Sequence, residues 1–256
     1  DLPKDATDRN RTSPFAFTGN KFEFRMVGSA DSVASPNTIL NAIVAEAFCE
    51  AADVLEAAED FNLAVHDLIK KYLSEHHRII FNGNGYAEEW VEEAQRRGLP
   101  NIKSMIEAAC TLTTEKSVKL FEKFHIFTES ELEAREESLY ETYAKTINIE
   151  ALTMIDMAST QIIPAVMGYS QKLARTVVDV RAAGVEPVVQ AELLGQINEK
   201  LGEMKKALTE LTEKEAGIYA MKDVKAQAFC YKDVIVPAME ALRKPADELE
   251  MLVDRE

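Results

Sequence analysis

The sequence predicts a mostly helical protein: a short strand segment, then a multi-helix bundle that ends in an antiparallel helical hairpin. Three observations carry this. One stretch alone, residues 20–27, alternates polar and apolar residues with the period of a strand. From Ser35 onward, apolar residues recur at helical spacing. In the last third, two stripes repeat at intervals of three and four, like heptad seams.

Residues 1–34 stand apart, with Pro3, Pro14, Gly19 and Gly28 and no helical period. Within them, Phe22, Phe24 and Met26 fall on one face of the expected strand, and Lys21, Glu23 and Arg25 on the other. A single strand is not stable alone, so its partners are expected elsewhere, and the rest of the sequence offers almost none.

Ser35 and Pro36 suit a helix start, and a helix is expected to about Ala58, with Ile39, Ile43, Ala47, Ala51 and Leu55 on one stripe. A second spans about 60–80 and stops at Phe81-Asn82-Gly83-Asn84-Gly85, where the asparagines and glycines favour special backbone angles. A short charged helix over 86–97 closes at Gly98 and Pro100. Further helices are expected over 102–109 and 117–124. Thr128 and Glu131 form a capping box that opens a long helical stretch to about Ala183. That stretch is expected to break near Asn148 and to kink at Pro164.

Gly184 and Pro187 mark a boundary. Beyond it, Leu194, Ile197, Leu201, Met204, Leu208 and Leu211 should face Ile235, Met239, Leu242, Ala246, Leu249 and Val253 across the hairpin. The expected divisions are therefore 1–34, 35–184 and 185–256.

Composition narrows the function classes. Apolar residues make up 46% of 256, enough for a sizeable core. The formal net charge of −15 argues against a nucleic-acid track but leaves room for ATP or glutamate, which need only a few local cations. No apolar run approaches the roughly 18 residues that cross a bilayer, and no signal peptide is visible. Cys49, Cys110 and Cys230 fit neither a zinc pattern nor a disulfide framework. They read as small buried hydrophobes in a reducing compartment. The chain opens Asp1-Leu2-Pro3 without an initiator methionine, which reads as part of something longer.

The residues richest in chemistry are Asp8-Arg9-Asn10-Arg11-Thr12-Ser13 and Lys21-Phe22-Glu23-Phe24-Arg25. A carboxylate between two cations can ligate a divalent metal, anchor a substrate, or belong to a solvated ladder of alternating charge. Periodicity alone favours the ladder. His66, His76, His77 and His125 lie in helical territory without partners at metal-binding spacing. Residues 82–86 form a second candidate: a helix-ending turn, or a loop docked near a neighbouring subunit or an active-site mouth. Trp90 reads as an anchor for the short helix that follows.

Asn10-Arg11-Thr12, Lys21-Phe22-Glu23-Phe24-Arg25 and Ser35-Pro36-Asn37 resemble, in order and spacing, the last active-site segment of glutamine synthetases. Arg11-Thr12-Ser13-Pro14-Phe15-Ala16-Phe17-Thr18-Gly19-Asn20 and the long helical extension resemble the type III enzymes in particular. The resemblance continues through His77-Arg78-Ile79-Ile80-Phe81-Asn82-Gly83-Asn84-Gly85-Tyr86 and covers nearly the whole chain.

The resemblance implies an ATP-dependent ligase that joins glutamate and ammonia, with Mg²⁺ or Mn²⁺, in a cytoplasmic, ring-forming homo-oligomer that binds neither nucleic acid nor membrane. It makes residues 22–26 the active-site strand. It implies that Glu23 ligates the metal nearer the nucleotide phosphates and that Arg25 holds the glutamate substrate. Arg11 steers the transferring phosphate, and Lys21 stands near ATP where many members have arginine. Bacterial type I enzymes have a further arginine where this chain has Ala16. The other metal ligands lie upstream in the family, so the isolated chain is expected to be inactive. The rival reading is a non-catalytic helical oligomerisation or regulatory module.

Overall fold

The computed structural model describes residues 15–17, 22–24, 32–81, 84–85 and 87–254, with the backbone alone for 15–17 and 22–24. The chain is mostly helical. Two short strands, β1 (Phe15–Phe17) and β2 (Phe22–Phe24), precede the helices. They pair antiparallel, with Phe15 opposite Phe24, Ala16 opposite Glu23 and Phe17 opposite Phe22. The partner of the expected strand is thus local. Phe15-Ala16-Phe17 is only three residues long and entirely apolar, so it carries no polar–apolar alternation that would mark a strand in the sequence.

The chain divides into two compact units: 1–104 with 114–128, and 105–113 with 129–256. In the first unit lie α1 (Ala34–Glu56), α2 (Phe61–Glu75), a 3₁₀ turn (His77–Ile79), α3 (Glu88–Arg96) and, as numbered along the chain, α5 (Glu115–Lys123). Helix α1 starts without a side-chain cap, so Ser35 lies inside it rather than at its N-cap. Asp60 caps α2 by accepting from the Leu63 amide at 3.0 Å. Thr114 caps α5 in the same way, through the Ser117 amide.

Helix α3 ends in a Schellman turn. Gly98 adopts φ +70°, its amide bonds to the Gln95 carbonyl, and the Leu99 amide reaches Ala94. Helix α5 ends with the same pair of bonds, from His125 to Glu122 and from Ile126 to Phe121. There the left-handed position is held by His125 at φ 53°, not by glycine. The backbone thus gives His125 a turn-forming role.

The second unit holds α4 (Met105–Ala109), α6 (Glu129–Met157), α7 (Ile163–Ala182), α8 (Val188–Tyr219), α9 (Val224–Cys230) and α10 (Val236–Glu250). The expected break near Asn148 is absent. Helix α6 runs through it, because the Leu132, Tyr140, Ala144 and Ala151 stripe keeps that turn buried against neighbours.

At Pro164 the helix continues through a π-turn, Ala158–Ile162, closed by a bond from the Ile163 amide to the Ala158 carbonyl. The wider turn clears the carbonyl that the proline ring would otherwise strike. A second π-turn, Tyr231–Ile235, precedes Pro237 with the same spacing and joins α9 to α10.

Helices α8 and α10 run antiparallel. Lys200 on α8 pairs with Glu248 on α10 at 2.8 Å near one end, and Gln227 on α9, which leads into α10, donates to the Ile218 carbonyl of α8 at 3.2 Å near the other. Ile197, Met204, Leu208, Leu211, Ile235, Leu242 and Leu249 are buried in the shared core. Leu194, Leu201, Met239, Ala246 and Val253 are only partly buried and flank it. Gly184, at φ +82°, closes α7 where the sequence placed a boundary.

The three cysteines are free and half-buried, so the expectation of buried hydrophobes is corrected. Cys49 lies on α1 and Cys230 on α9, and Cys110 begins the turn after α4. Among the described residues, no helix is long and apolar enough to cross a membrane.

Candidate functional site

The expected site falls on the strand segment. Glu23 occupies the centre of β2, directly across the ladder from Ala16. Arg11, Lys21 and Arg25 lie outside the described residues. Among the described residues, no group of three or more His, Cys, Asp or Glu side chains could hold a metal ion. His66 is an exposed helix residue whose imidazole lies 3.5 Å from Asp67.

The second candidate, residues 82–86, lies partly outside the described residues, but its flanks are well defined. Phe81 stacks on Trp90 with ring centroids 4.2 Å apart and planes 23° from parallel. The Arg97 guanidinium sits 5.6 Å from the Trp90 ring centre. It also donates to the Ile80 carbonyl at 2.8 Å and the Arg78 carbonyl at 3.3 Å. Its Nε donates to Glu93 at 2.5 Å, and this hydrogen bond holds the Glu93 carboxyl below its usual range. Together these contacts fasten α3 to the chain entering the loop. Trp90 is therefore the anchor that its position in the sequence suggested.

The sequence reading missed a polar knot in the second unit. Glu136, 6% exposed, accepts from Thr113 Oγ1 at 2.5 Å, Tyr140 Oη at 2.6 Å and Lys225 Nζ at 2.9 Å. Cys110 Sγ shares a 2.9 Å hydrogen bond with Tyr140 Oη, and the Lys225 ammonium lies 5.3 Å from the Tyr140 ring centre.

Burial pushes the Glu136 carboxyl upward. Its hydrogen bonds from Thr113, Tyr140 and Lys225 outweigh that, so it lies below its usual value. Burial, then Cys110 and Glu136, push the Tyr140 phenol upward. Hydrogen bonding to Glu136 raises Lys225. The knot ties α6 and α9 to the turn after α4, and an open cavity of about 510 Å³ borders it. One signal was available: Glu136 falls in phase with Leu132, Tyr140 and Ala144, a core stripe in which a glutamate is out of place.

Comparison with known proteins agrees with the family resemblance. Residues 64–181 match the model of the glutamine synthetase C-terminal domain. The type-3 glutamine synthetase of Dictyostelium discoideum is 39% identical over 99% of this chain and 36% of that protein. Glutamine synthetases of Butyrivibrio fibrisolvens and Bacteroides fragilis are 36% and 33% identical, each over 98% of this chain and 36% of their own length. The chain therefore belongs to the glutamine synthetase family, as a C-terminal portion of the type III kind. It spans about a third of the length of these relatives.

Proposed function

We propose that this chain is part of an ATP-dependent glutamate–ammonia ligase that forms glutamine through a γ-glutamyl phosphate. The observation that carries the reading is the likeness to glutamine synthetases along 98–99% of the chain, together with the Lys21-to-Arg25 motif on and beside a paired strand. The reaction moves the ATP γ-phosphoryl group onto the glutamate side-chain carboxylate, and ammonia then displaces phosphate.

In this reading Arg25 holds the glutamate substrate, Arg11 steers the transferring phosphate and Lys21 lies near ATP. Such catalysis rests on positioning and charge neutralisation. Glu23 supplies one carboxylate to Mg²⁺ or Mn²⁺, which would neutralise phosphate charge when bound. A hard cation needs several oxygen ligands. The family resemblance places the remaining ligands on upstream polypeptide. We further propose a cytoplasmic, ring-forming homo-oligomer, and no glutamine formation by the 256-residue chain alone.

Steady-state kinetics on the full-length enzyme test the roles. Glu23→Ala should weaken metal-dependent turnover. Arg25→Ala should chiefly raise the KM for glutamate. Arg11→Ala should lower kcat with smaller effects on substrate binding. Parent-like kinetics in all three variants would reject the assignments.

A further inference from the structure

The polar knot around Glu136 is the floor of a cavity. The hollow of about 510 Å³ beside it is lined from the turn after α4, from α6, and from α9 with the turn before it, all within the second unit. Glu136 and Tyr140 are 6% and 2% exposed in it. Their hydrogen bonds with Thr113, Cys110 and Lys225 fix them in place. A concave site of this volume with pre-positioned polar groups is of the size that takes a small molecule.

The walls carry charges that the knot does not use. Glu133 and Glu137 stand one turn apart on α6, and Lys222 lies in the turn between α8 and α9. All three are exposed, and none has a hydrogen-bond or ion-pair partner among the described residues. Their neighbours are engaged: Lys225 pairs with Glu136, and Asp223 accepts from the Ala226 amide. Like charges at i and i+4 on a helix repel, so the α6 wall favours a cation between its two glutamates. Lys222 leaves a positive charge to be met from a different element. It lines the same cavity and yet pairs with neither glutamate.

We propose that this cavity binds a free α-amino acid, with its ammonium between Glu133 and Glu137 and its carboxylate on Lys222, over the floor of Glu136 and Tyr140. A zwitterion answers both charges at once. An amine alone leaves Lys222 unmet, and a phosphate or nucleotide brings further negative charge against the two glutamates. A metal ion is disfavoured because, among the described residues, no three acidic, histidine or cysteine side chains gather as its ligands. None of the residues involved belongs to the strand motif, so the proposal stands apart from the ligase reading.

The test is peptide-resolved hydrogen exchange on the full-length protein, titrated with L-serine and, separately, with L-glutamine. With at least one of them, exchange should slow in peptides over residues 132–140 and 220–227. Ethanolamine and 3-hydroxypropionate keep the serine frame and drop one charge each, and they should leave both peptides unchanged. Lys222→Gln, and the double variant Glu133→Gln with Glu137→Gln, should each raise the amino-acid concentration needed for half the slowing by about tenfold or more, the worth of one charge-assisted hydrogen bond. Lys206→Gln, at an exposed position on α8, should titrate like the parent. No slowing in these peptides with either amino acid overturns the proposal. Equal slowing with a single-charge analogue, unchanged titration of the cavity variants, or slowing confined to residues 10–37 overturns it as well, the last by placing the binding at the strand motif.

Discussion

Glu136 and Glu215 are both buried in the second unit, and their carboxyl groups shift in opposite directions from the ordinary value of 4.5. Around Glu136, three donors overcome burial and favour the anion. Its stability contribution is fully present above 4.5 and is lost as pH falls through its lower folded value. Glu215 has only burial acting on it, which favours the neutral acid. The folded state keeps that proton to higher pH than the unfolded chain does. Its ionisation therefore removes stability as pH rises from 4.5 through the raised folded value.

Glu136→Gln should cost about 1–3 kcal/mol at neutral pH, because charge-assisted bonds become neutral ones. It should also flatten the acid limb of the stability curve. Glu215→Gln should raise the denaturation midpoint at neutral pH, with the gain vanishing below 4.5. Urea titrations across pH check both signs.

At the scale of the element, the long helix from α6 to α7 keeps one buried stripe. Ala144, Ala151 and Ala158 are seven residues apart, Val166 comes eight later and Leu173 seven beyond. The single eight-residue step coincides with the π-turn Ala158–Ile162, which absorbs the extra residue and keeps the stripe on one face. Deleting Thr160 together with Pro164→Ala should therefore turn the π-turn into α-helix and preserve cooperative unfolding. Deleting Glu150 should rotate one half of the stripe by about 100° and abolish cooperativity. Thermal unfolding followed by circular dichroism separates the two.

The α8–α10 hairpin makes a graded prediction. Leu208→Ala, at 3% exposure, should cost about 2–5 kcal/mol. Leu201→Ala should cost clearly less, because Leu201 flanks the core. Equal losses in denaturant midpoint would contradict this packing.

For the whole molecule, the large connected core draws only on residues of the second unit, which predicts unequal protection in the isolated chain. Amides of α8 and α10 should exchange most slowly, and those of α1 and α2 should exchange earlier, by local opening. Hydrogen exchange with peptide resolution measures this. Protection of α1 equal to that of α8 would show that the first unit is as self-sufficient as the second.

The sequence by itself determined the helical class, the Gly98 and Gly184 helix ends, the Asn10-to-Asn37 motif and the phase of both hairpin stripes. Each is encoded within a few residues: glycine's freedom at positive φ, a periodic stripe, or fixed motif spacing. Only the tertiary structure decided the pairing of β2 with β1, the passage of α6 through Asn148, the π-turns before Pro164 and Pro237, and the burial of Glu136 among Thr113, Tyr140 and Lys225. Those outcomes depend on partners distant in sequence. Lys225 lies 89 positions from Glu136, and the energy of a buried carboxylate is set by the donors that reach it rather than by its neighbours along the chain.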